Sequence, residues 1–348
     1  MDSIFYKPLS APKVYINIDT YYNYSMQIIN GHIKDTEIVM SDGNLKKIQD
    51  IKIGEYLMGI ESKPVLINNI LNGQDEMYKI KSEAYYLNDD TSDYIVNRYY
   101  TLSLLYSFKK SIKEYNNNYY VFWFDNMHIK ELCEMFTFDD SNKNEIYKIA
   151  LKFLQSINEK RKINITIYDY LQLPKSIQGK FQSFTSVIYY PRKNTVFDPY
   201  TVGFMEGINI YGMVEKNKVT KLYKHNSIYV RLNYIAGVID SYGYTFNDKY
   251  LIDVYDYNLY VKDLIFMIKS VGLFCYYSDN KLTIFGKNIL KIPTKKIKIN
   301  CKISSIKPYA IYIEKVTHPA YDEYYGFELL NNEKYILGNC IISDSCRK

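Results

Sequence analysis

Thiols, imidazoles and carboxylates are the side chains with which this chain could do chemistry, and their spacing limits what that chemistry is. The five cysteines include no Cys-x-x-Cys pair, and the four histidines have no His-x-Glu or His-x-x-His neighbourhood. Neither a disulfide framework nor a zinc site is therefore indicated, and no metal site is expected. We interpret the histidines as surface or satisfied interior residues: His32, His128, His225 and His318. No P-loop, Rossmann glycine pattern or serine nucleophile elbow is present.

Basic side chains are the second candidate chemistry, because lysine and arginine clusters can follow a phosphate backbone. Three clusters occur: Lys109, Lys110 and Lys113; Lys160, Arg161 and Lys162; and Lys291, Lys295, Lys296, Lys298 and Lys302. The whole chain has 44 Lys+Arg against 38 Asp+Glu, so its net charge of +6 permits DNA binding without implying it. The alternative is that these clusters are solvated surfaces.

Tyrosine is unusually frequent, at 40 of 348 residues, and isoleucine, asparagine and lysine are also abundant. All have codons rich in A and T, so we interpret the bias as genomic. A functional alternative is a set of aromatic platforms for single-stranded nucleic acid.

The elements that must position these side chains are strands near both ends of the chain and helices in the middle. Strands are predicted at 14–18, 37–40, 56–60, 77–80, 119–124 and 324–329. Helices are predicted at 145–157, 230–239 and 261–271. Turns at 41–44 and 330–333 predict two hairpins. Prolines mark seams that make 190–298 an α+β block inserted in a β-rich frame.

Targeting signals are not evident. No run of about 18 apolar residues occurs, and the N-terminus lacks a basic segment followed by an apolar core. We expect an intracellular protein with reduced thiols and no membrane contact; the nucleus and a virion both remain open as compartments.

Two terminal segments carry a resemblance. Residues 34–43 and 48–59, which include Gly54-Glu55 after an isoleucine-rich turn, resemble the opening of a Hint domain, the self-splicing module of inteins. Residues 324–329 and 335–346 resemble its closing strands. The resemblance implies a pseudo-symmetric β horseshoe.

The middle of the chain resembles a second family. Residues 234–244, with Gly237 and Asp240, are similar to the second signature helix of the LAGLIDADG homing endonucleases, and 199–207 suggest the first. Residues 163–184 resemble the DNA-recognition insert of vacuolar-ATPase-type inteins and the related mating-type-switching endonuclease. The resemblance implies double-stranded DNA as a partner, with Lys160, Arg161, Lys162, Lys295 and Lys296 contacting phosphates.

The splicing residues that the resemblance implies are largely replaced. The first intein residue matches Gly31, which has no nucleophile. The activating histidine matches Tyr100, with Asn97 kept three residues earlier. The terminal His-Asn-Cys matches Asp344, Ser345 and Cys346, and serine cannot form the cyclic imide. We therefore expect no protein splicing.

The nuclease positions are replaced as well. The metal-binding carboxylates match Ile208 and Tyr242, neither of which is a hard oxygen ligand for Mg²⁺. Glu206 and Asp240 stand two positions away, about 200° around a helix. Gly203 and Gly237 lie 34 positions apart, too few for a complete αββαββ repeat between signature helices. We expect no cofactor, with Mg²⁺ needed only if nuclease activity survives.

These inferences predict a mainly β Hint horseshoe frame with an inserted α+β LAGLIDADG-like block. The expected domains are an N-terminal extension (1–30), a discontinuous Hint-like domain (31–190 and 298–348, with an insert at about 105–190) and a reduced LAGLIDADG-like domain (191–297). The leading function is a catalytically degenerate intein and endonuclease relative that retains DNA binding. Two alternatives remain open: a structural or interaction protein built on the Hint frame, for example in a virus particle, and an active nuclease with unusual ligands.

Overall fold

A computed structural model describes residues 29–82, 93–183, 185–211, 219–255, 257–286, 288–299, 311–315 and 321–346. The strand predicted at 14–18, most of the N-terminal extension, Lys302 and His318 lie outside the described residues. Within the described part of the chain, no helix combines the length and the apolar character that a membrane crossing requires.

Strands dominate the described residues, which confirms the mainly β prediction. They are β1 (His32–Ile33), β2 (Glu37–Val39), β3 (Leu45–Lys47), β4 (Tyr56–Met58), β5 (Pro64–Ser82), β6 (Tyr94–Asn97), β7 (Thr101–Tyr106), β8 (Ser111–Tyr115), β9 (Asn118–Asp125), β10 (Lys130–Thr137), β11 (Lys162–Thr166), β12 (Phe181–Ser183), β13 (Gly243–Phe246), β14 (Lys249–Asp253), β15 (Phe274–Ser278), β16 (Lys281–Phe285), β17 (Ile311–Lys315), β18 (Tyr321–Leu329), β19 (Lys334–Ile336) and β20 (Ile342–Asp344).

The helices are α1 (Lys143–Ser156), α2 (Ile167–Gln172), α3 (Lys175–Gln178), α4 (Pro199–Tyr211), α5 (Lys221–Lys224), α6 (Ile228–Tyr242) and α7 (Leu259–Ser270). The three predicted helices are confirmed as α1, α6 and α7, and their caps explain where two of them start. The side chain of Ser227 accepts a hydrogen bond from Val230 N before α6, and that of Asn258 accepts one from Val261 N before α7.

The central sheet joins the two ends of the described chain. Its strand order is β17-β5-β18-β1-β6, all neighbours being antiparallel. The long strand β5 pairs with β18 from Glu76↔Tyr321 to Ile67↔Leu329, and β18 also pairs with β1. Residues near 325 therefore lie beside residues near 32.

Two local strand predictions need correction. The hairpin at 41–44 is confirmed: Met40 N donates to Asn44 O at 2.8 Å, and Gly43 has φ +88°. The prediction of a second hairpin at 330–333 is wrong. Residues 330–332 form a 3₁₀ turn, and the strand after it, β19, pairs with β20 and not with β18. The strand predicted at 56–60 ends at Met58, since Glu61 at φ 57° redirects the chain into β5.

Residues 101–183 form two further three-stranded sheets. The order β11-β7-β12 lies against α2, whereas the order β10-β9-β8 is covered on one side by α1. The segment predicted to be a DNA-recognition insert contains α2 and α3, which the Tyr170 hydroxyl ties together by donating to Gln178 O at 2.8 Å.

Residues 199–285 form an α+β arrangement. From α6 onward the chain runs helix, strand, strand, helix, strand, strand, and the strands form one antiparallel sheet in the order β13-β14-β16-β15. Between α4 and α6 the described residues contain the short α5 and no strand.

The apolar core consists of separate clusters, one in the β-rich part of the chain and one in the α+β part. One cluster of buried residues draws on 38–181 and 327–341, and another draws on 219–299. A smaller cluster joins them through Phe266 of α7, which packs with Val39, Met58 and Ile336. Beside it, the fully buried Arg231 donates through Nε to Asn226 O at 2.9 Å and through Nη2 to Ile188 O.

Candidate functional site

Asn97 and Asn30 hold the peptide around Gly31 in the middle of the frame. The Asn97 side chain accepts from Gly31 N at 3.0 Å and donates to Ile29 O at 2.9 Å, so it binds the peptide groups before and after Asn30. The Asn30 side chain donates to Ser345 O at 2.7 Å and accepts from Thr101 N at 2.7 Å. Segments more than 300 positions apart are thereby joined.

Gly31 has no room for a side chain in this arrangement. A Cβ added there would lie 2.7 Å from Cγ and 2.8 Å from Cβ of Tyr324, on the neighbouring strand β18. Real Cβ atoms do not approach other carbons so closely, so a residue with a side chain at position 31 requires β18 to move.

The Tyr100 side chain reaches Ser343 on strand β20. Its hydroxyl donates to Ser343 Oγ at 3.0 Å, and Ser343 Oγ is also 2.9 Å from His32 Nε2. Burial holds the pKa of the Tyr100 phenol well above its ordinary value and lowers the pKa of His32 to about 3. Both rings are therefore neutral near pH 7, and neither is a ready proton donor or acceptor.

His32 belongs to the site although the sequence does not single it out. The sequence predicts a surface or satisfied interior histidine, and the structure shows a fully buried one, with its Nε2 2.9 Å from Ser343 Oγ and its ring 5.0 Å from that of Tyr100, edge to face. Its Nδ1 has no hydrogen-bond partner among the described residues. No sequence signal indicates this contact, because Ser343 is 311 positions away.

Asp344, Ser345 and Cys346 complete the site, and of the three only Cys346 keeps the residue type that the resemblance implies at its position. The Cys346 thiol donates to Asn30 O at 3.6 Å, while burial raises its pKa to about 12. The Ser345 hydroxyl has no partner within the part of the chain that is described. Asp344 binds Lys334 Nζ at 2.8 Å and Ser103 Oγ at 2.7 Å, so it holds the last strand in place.

Helix α4 packs against α6 through glycines. A Cβ on Gly237 would lie 2.6 Å from Phe204 N and would overlap Tyr200 O, and one on Gly203 would lie 2.8 Å from the Tyr234 carbonyl carbon. The two backbones therefore touch where neither residue has a side chain.

The carboxylates near this contact have other partners. Asp240 is buried and accepts from Tyr200 OH at 3.0 Å and from the backbone nitrogens of Lys295 and Ile297. Glu206 accepts from the Tyr234 hydroxyl. Ile208 and Tyr242, at the predicted ligand positions, are 40% and 42% exposed. The described residues contain no cluster of three or more His, Cys, Asp or Glu that could hold a metal ion.

The predicted DNA-binding cations lie on different elements. Lys160 and Lys162 are exposed beside β11, whereas Arg161 donates to Tyr106 O at 3.1 Å. Lys295 Nζ lies 3.8 Å from the Tyr200 ring centre, and Lys296 Nζ lies 4.1 Å from that of Phe204, both on α4. Outside that set, Lys110 binds Leu154 O and Ile157 O at the end of α1.

In this β frame the first strands of the domain pair with its last strands, and a hydrogen-bonded peptide lies between them. That arrangement defines a Hint-type protein. Residues 32–343 match the family model described as Hom_end-associated Hint, and the chain belongs to that family.

Among solved structures, crystal structures of the gp41-1 intein and of a triple variant of it are similar to this chain at 13% identity and a TM-score of 0.17. Each covers 32% of this chain, and 89% and 90% of the respective intein chains. No curated protein matches.

Proposed function

We propose that this chain is a Hint protein whose splicing site is assembled but chemically disabled. The observation that carries the proposal is that the Asn97 side chain binds the peptide groups before and after Asn30, while the next residue, Gly31, offers no nucleophile. Moving an acyl group onto a side chain requires a thiol or hydroxyl, and Gly31 supplies neither.

The remaining groups do not replace the missing nucleophile. Tyr100 occupies the position of the activating histidine as a buried neutral phenol. The Cys346 thiol, with its pKa near 12, keeps its proton at neutral pH, and the thiolate is the reactive form. Ser345 has no amide with which to cyclise, so cleavage at the C-terminal junction has no route.

The test is a fusion with foreign segments at both ends, followed by mass spectrometry of the products. We expect neither ligated nor cleaved product from the wild type or from Gly31→Cys, whereas a splicing-competent Hint protein in the same fusion reports that the assay works. A ligated product from the wild-type fusion would contradict the proposal.

The α+β block supports a second part of the proposal, a reduced LAGLIDADG-like module in residues 191–297. Its support is the glycine contact of α4 with α6 and the helix-strand-strand order that follows α6. Asp240 is bound to two backbone amides, and the described residues of this module contain no cluster of three or more acidic or other ligand residues that could hold Mg²⁺.

Retained DNA binding is the function we assign to this disabled protein. Exposed Lys160, Lys162, Lys295 and Lys296 do not depend on the nuclease carboxylates, so phosphate contacts survive their loss. A mobility shift with duplex DNA across a salt series tests this, because only phosphate contacts give a steep salt slope.

A cleavage selection on a random duplex library with Mg²⁺ and Mn²⁺ should give no cuts; cuts that vanish in Asp240→Asn or Glu206→Gln would establish an active nuclease.

One observation favours the alternative of an interaction protein. One cross-strand row of the sheet formed by β13, β14, β16 and β15 carries Tyr244, Leu251, Thr283 and Tyr276, of which Tyr244 is 37% exposed and Thr283 only 4%. Of its lysines, Lys249 lies over the rings of Tyr276 and Phe285. An aromatic face suits a protein partner better than a phosphate backbone. A flat salt slope with duplex DNA would favour this alternative.

A further inference from the structure

The sheet formed by β8, β9 and β10 has one covered face and one open face. Helix α1 covers the first, where Tyr119, Val121, Trp123 and Phe136 pack with Ala150 and Phe153 of the helix. Because side chains alternate along a strand, the residues between them face the other way. The second face is open over part of its length, and at one end it is closed by Phe124, which is 2% exposed and stacks on the Tyr106 ring at 4.0 Å.

We define the open face by two cross-strand rows. Register places Lys113, Tyr120 and Met135 in one row and Ser111, Phe122 and Cys133 in the next. The Tyr120 and Phe122 rings, both on the central strand, are 6.3 Å apart with an interplanar angle of 24°. Met135 is 55% exposed, and Tyr120 and Phe122 are half-buried.

Lysines lie over the aromatic rings at this face and beside it. Lys113 Nζ is 5.5 Å from the centre of the Phe122 ring, and Lys180 Nζ is 5.6 Å from that of Phe108, which is 57% exposed. The acid of the next row, Glu131, is held by Lys180 Nζ at 2.8 Å and by the Tyr106 hydroxyl. Glu114 and Glu134 occupy the rows turned toward α1. The open face therefore joins flat apolar rings to positive charge.

We infer that the open face binds single-stranded nucleic acid by stacking unpaired bases on Tyr120 and Phe122. Two near-parallel rings on a central strand offer successive bases a π-face, and lysines at their edge meet the phosphates between those bases. A duplex cannot use this face in the same way, because its bases are already stacked and paired. This site goes beyond the proposed function, which assigns duplex phosphates to lysines on other elements.

Fluorescence anisotropy with a labelled 20-nucleotide oligo(dT), compared with a duplex of the same length, tests the inference on the full chain. We expect Tyr120→Ala with Phe122→Ala to weaken oligo(dT) binding by roughly tenfold or more, since each lost stack removes a large share of affinity. Tyr147→Ala on α1 is the matched control and should leave the affinity unchanged, because the Tyr147 ring is 43% exposed and contacts Tyr119 on the covered face. Lys113→Gln should lower the salt slope by about 0.7.

The conservative pair Tyr120→Phe and Phe122→Tyr keeps both rings and should keep binding, so the test survives if the alanine variant fails to fold. Loss of duplex binding after substitution of Lys160, Lys162, Lys295 and Lys296, with oligo(dT) binding intact, would separate the two sites. Equal oligo(dT) affinity of the wild type and the folded alanine variant would overturn the inference. So would a dimer in sedimentation that the alanine variant abolishes, because the occupant would then be a second copy of the chain.

Discussion

Gly31 lies in a hydrogen-bonded site whose geometry does not depend on a side chain at that position. The side chains of Asn97 and Asn30 form hydrogen bonds with backbone atoms. These bonds therefore do not depend on which side chain position 31 carries. The ring of Tyr324 fills the space that a nucleophile would need. Restoring catalysis at this residue therefore requires changes on a second strand as well.

That packing predicts the cost of a side chain at position 31. Gly31→Ala should lower the free energy of unfolding by about 1–3 kcal/mol, because the added methyl group overlaps the Tyr324 ring. In a Tyr324→Ala background, which removes the closest ring atoms, the same change should cost clearly less. Urea unfolding of the four proteins gives the coupling energy. Equal costs in both backgrounds would mean that Tyr324 is not the obstacle.

His32 and His225 predict how stability depends on pH. Burial lowers their pKa values from 6.5 to about 3 and about 4, so both stay neutral in the folded protein while the unfolded chain takes up protons below pH 6.5. The free energy of unfolding should therefore fall as the pH drops from 6.5 to 5, by at most about 1.4 kcal/mol per pH unit for each histidine. Urea midpoints of the wild type and of His32→Gln with His225→Gln should converge at low pH; parallel pH profiles would refute this assignment.

At the scale of elements, the contact of α4 with α6 depends on the absence of side chains. Gly203 and Gly237 each place a backbone against the carbonyl of the opposing helix. The carboxylate of Asp240 then ties the segment around Lys295 to α6 through backbone amides. The Asp240 carboxylate therefore has a structural role at this closely packed contact.

Gly237→Ala should accordingly destabilise the block by about 1–3 kcal/mol or more, since the obstacle is backbone and cannot rotate away. Gly179→Ala is the matched control: a Cβ there meets nothing closer than 4.0 Å, and φ is −67°. We expect the control to change the free energy of unfolding by less than about 0.5 kcal/mol. Thermal unfolding followed by circular dichroism compares the two, and equal midpoints would contradict the packing argument.

Elements with a local signal were predictable from the sequence, and elements with nonlocal partners were not. The apolar spacing of α1, α6 and α7 and the Asp42-Gly43 turn determine structure within a few residues. The turn at 330–333 has hairpin composition, but β19 finds its partner in β20. In the site, the resemblance brought Gly31, Tyr100 and Cys346 together, whereas the His32–Ser343 contact and the partners of Asp240 appear only once the chain is folded.

At the scale of the whole molecule, the first apolar cluster is formed by residues that precede the α+β block in the sequence and residues that follow it. We propose 31–190 with 298–348 as one domain and 191–297 as another, on the support of two apolar clusters that follow this division. Removal of residues 324–348 takes Phe327, Leu329, Tyr335, Leu337 and Ile341 from the first cluster.

This truncation should unfold the frame, because five buried side chains at about 1.5–3 kcal/mol each rival the whole stability of a domain. The fragment 190–298, which holds every buried member of the second cluster except Ile299, should keep a cooperative thermal transition. Circular dichroism and thermal melts of both fragments check the expectation. A truncated frame that still melts cooperatively would show that the domain is not discontinuous.

The pairing of β5 with β18 also sets the order in which the protein can fold during its synthesis. A ribosome delivers the chain from the N-terminus at about 5–20 residues per second, so β5 waits on the order of ten seconds or more for its partner. In that interval β5 presents an unpaired edge, and the α+β block can fold first because its contacts are local in sequence. Nascent chains should therefore be most prone to aggregation, and most dependent on chaperones, before residues 321–329 emerge.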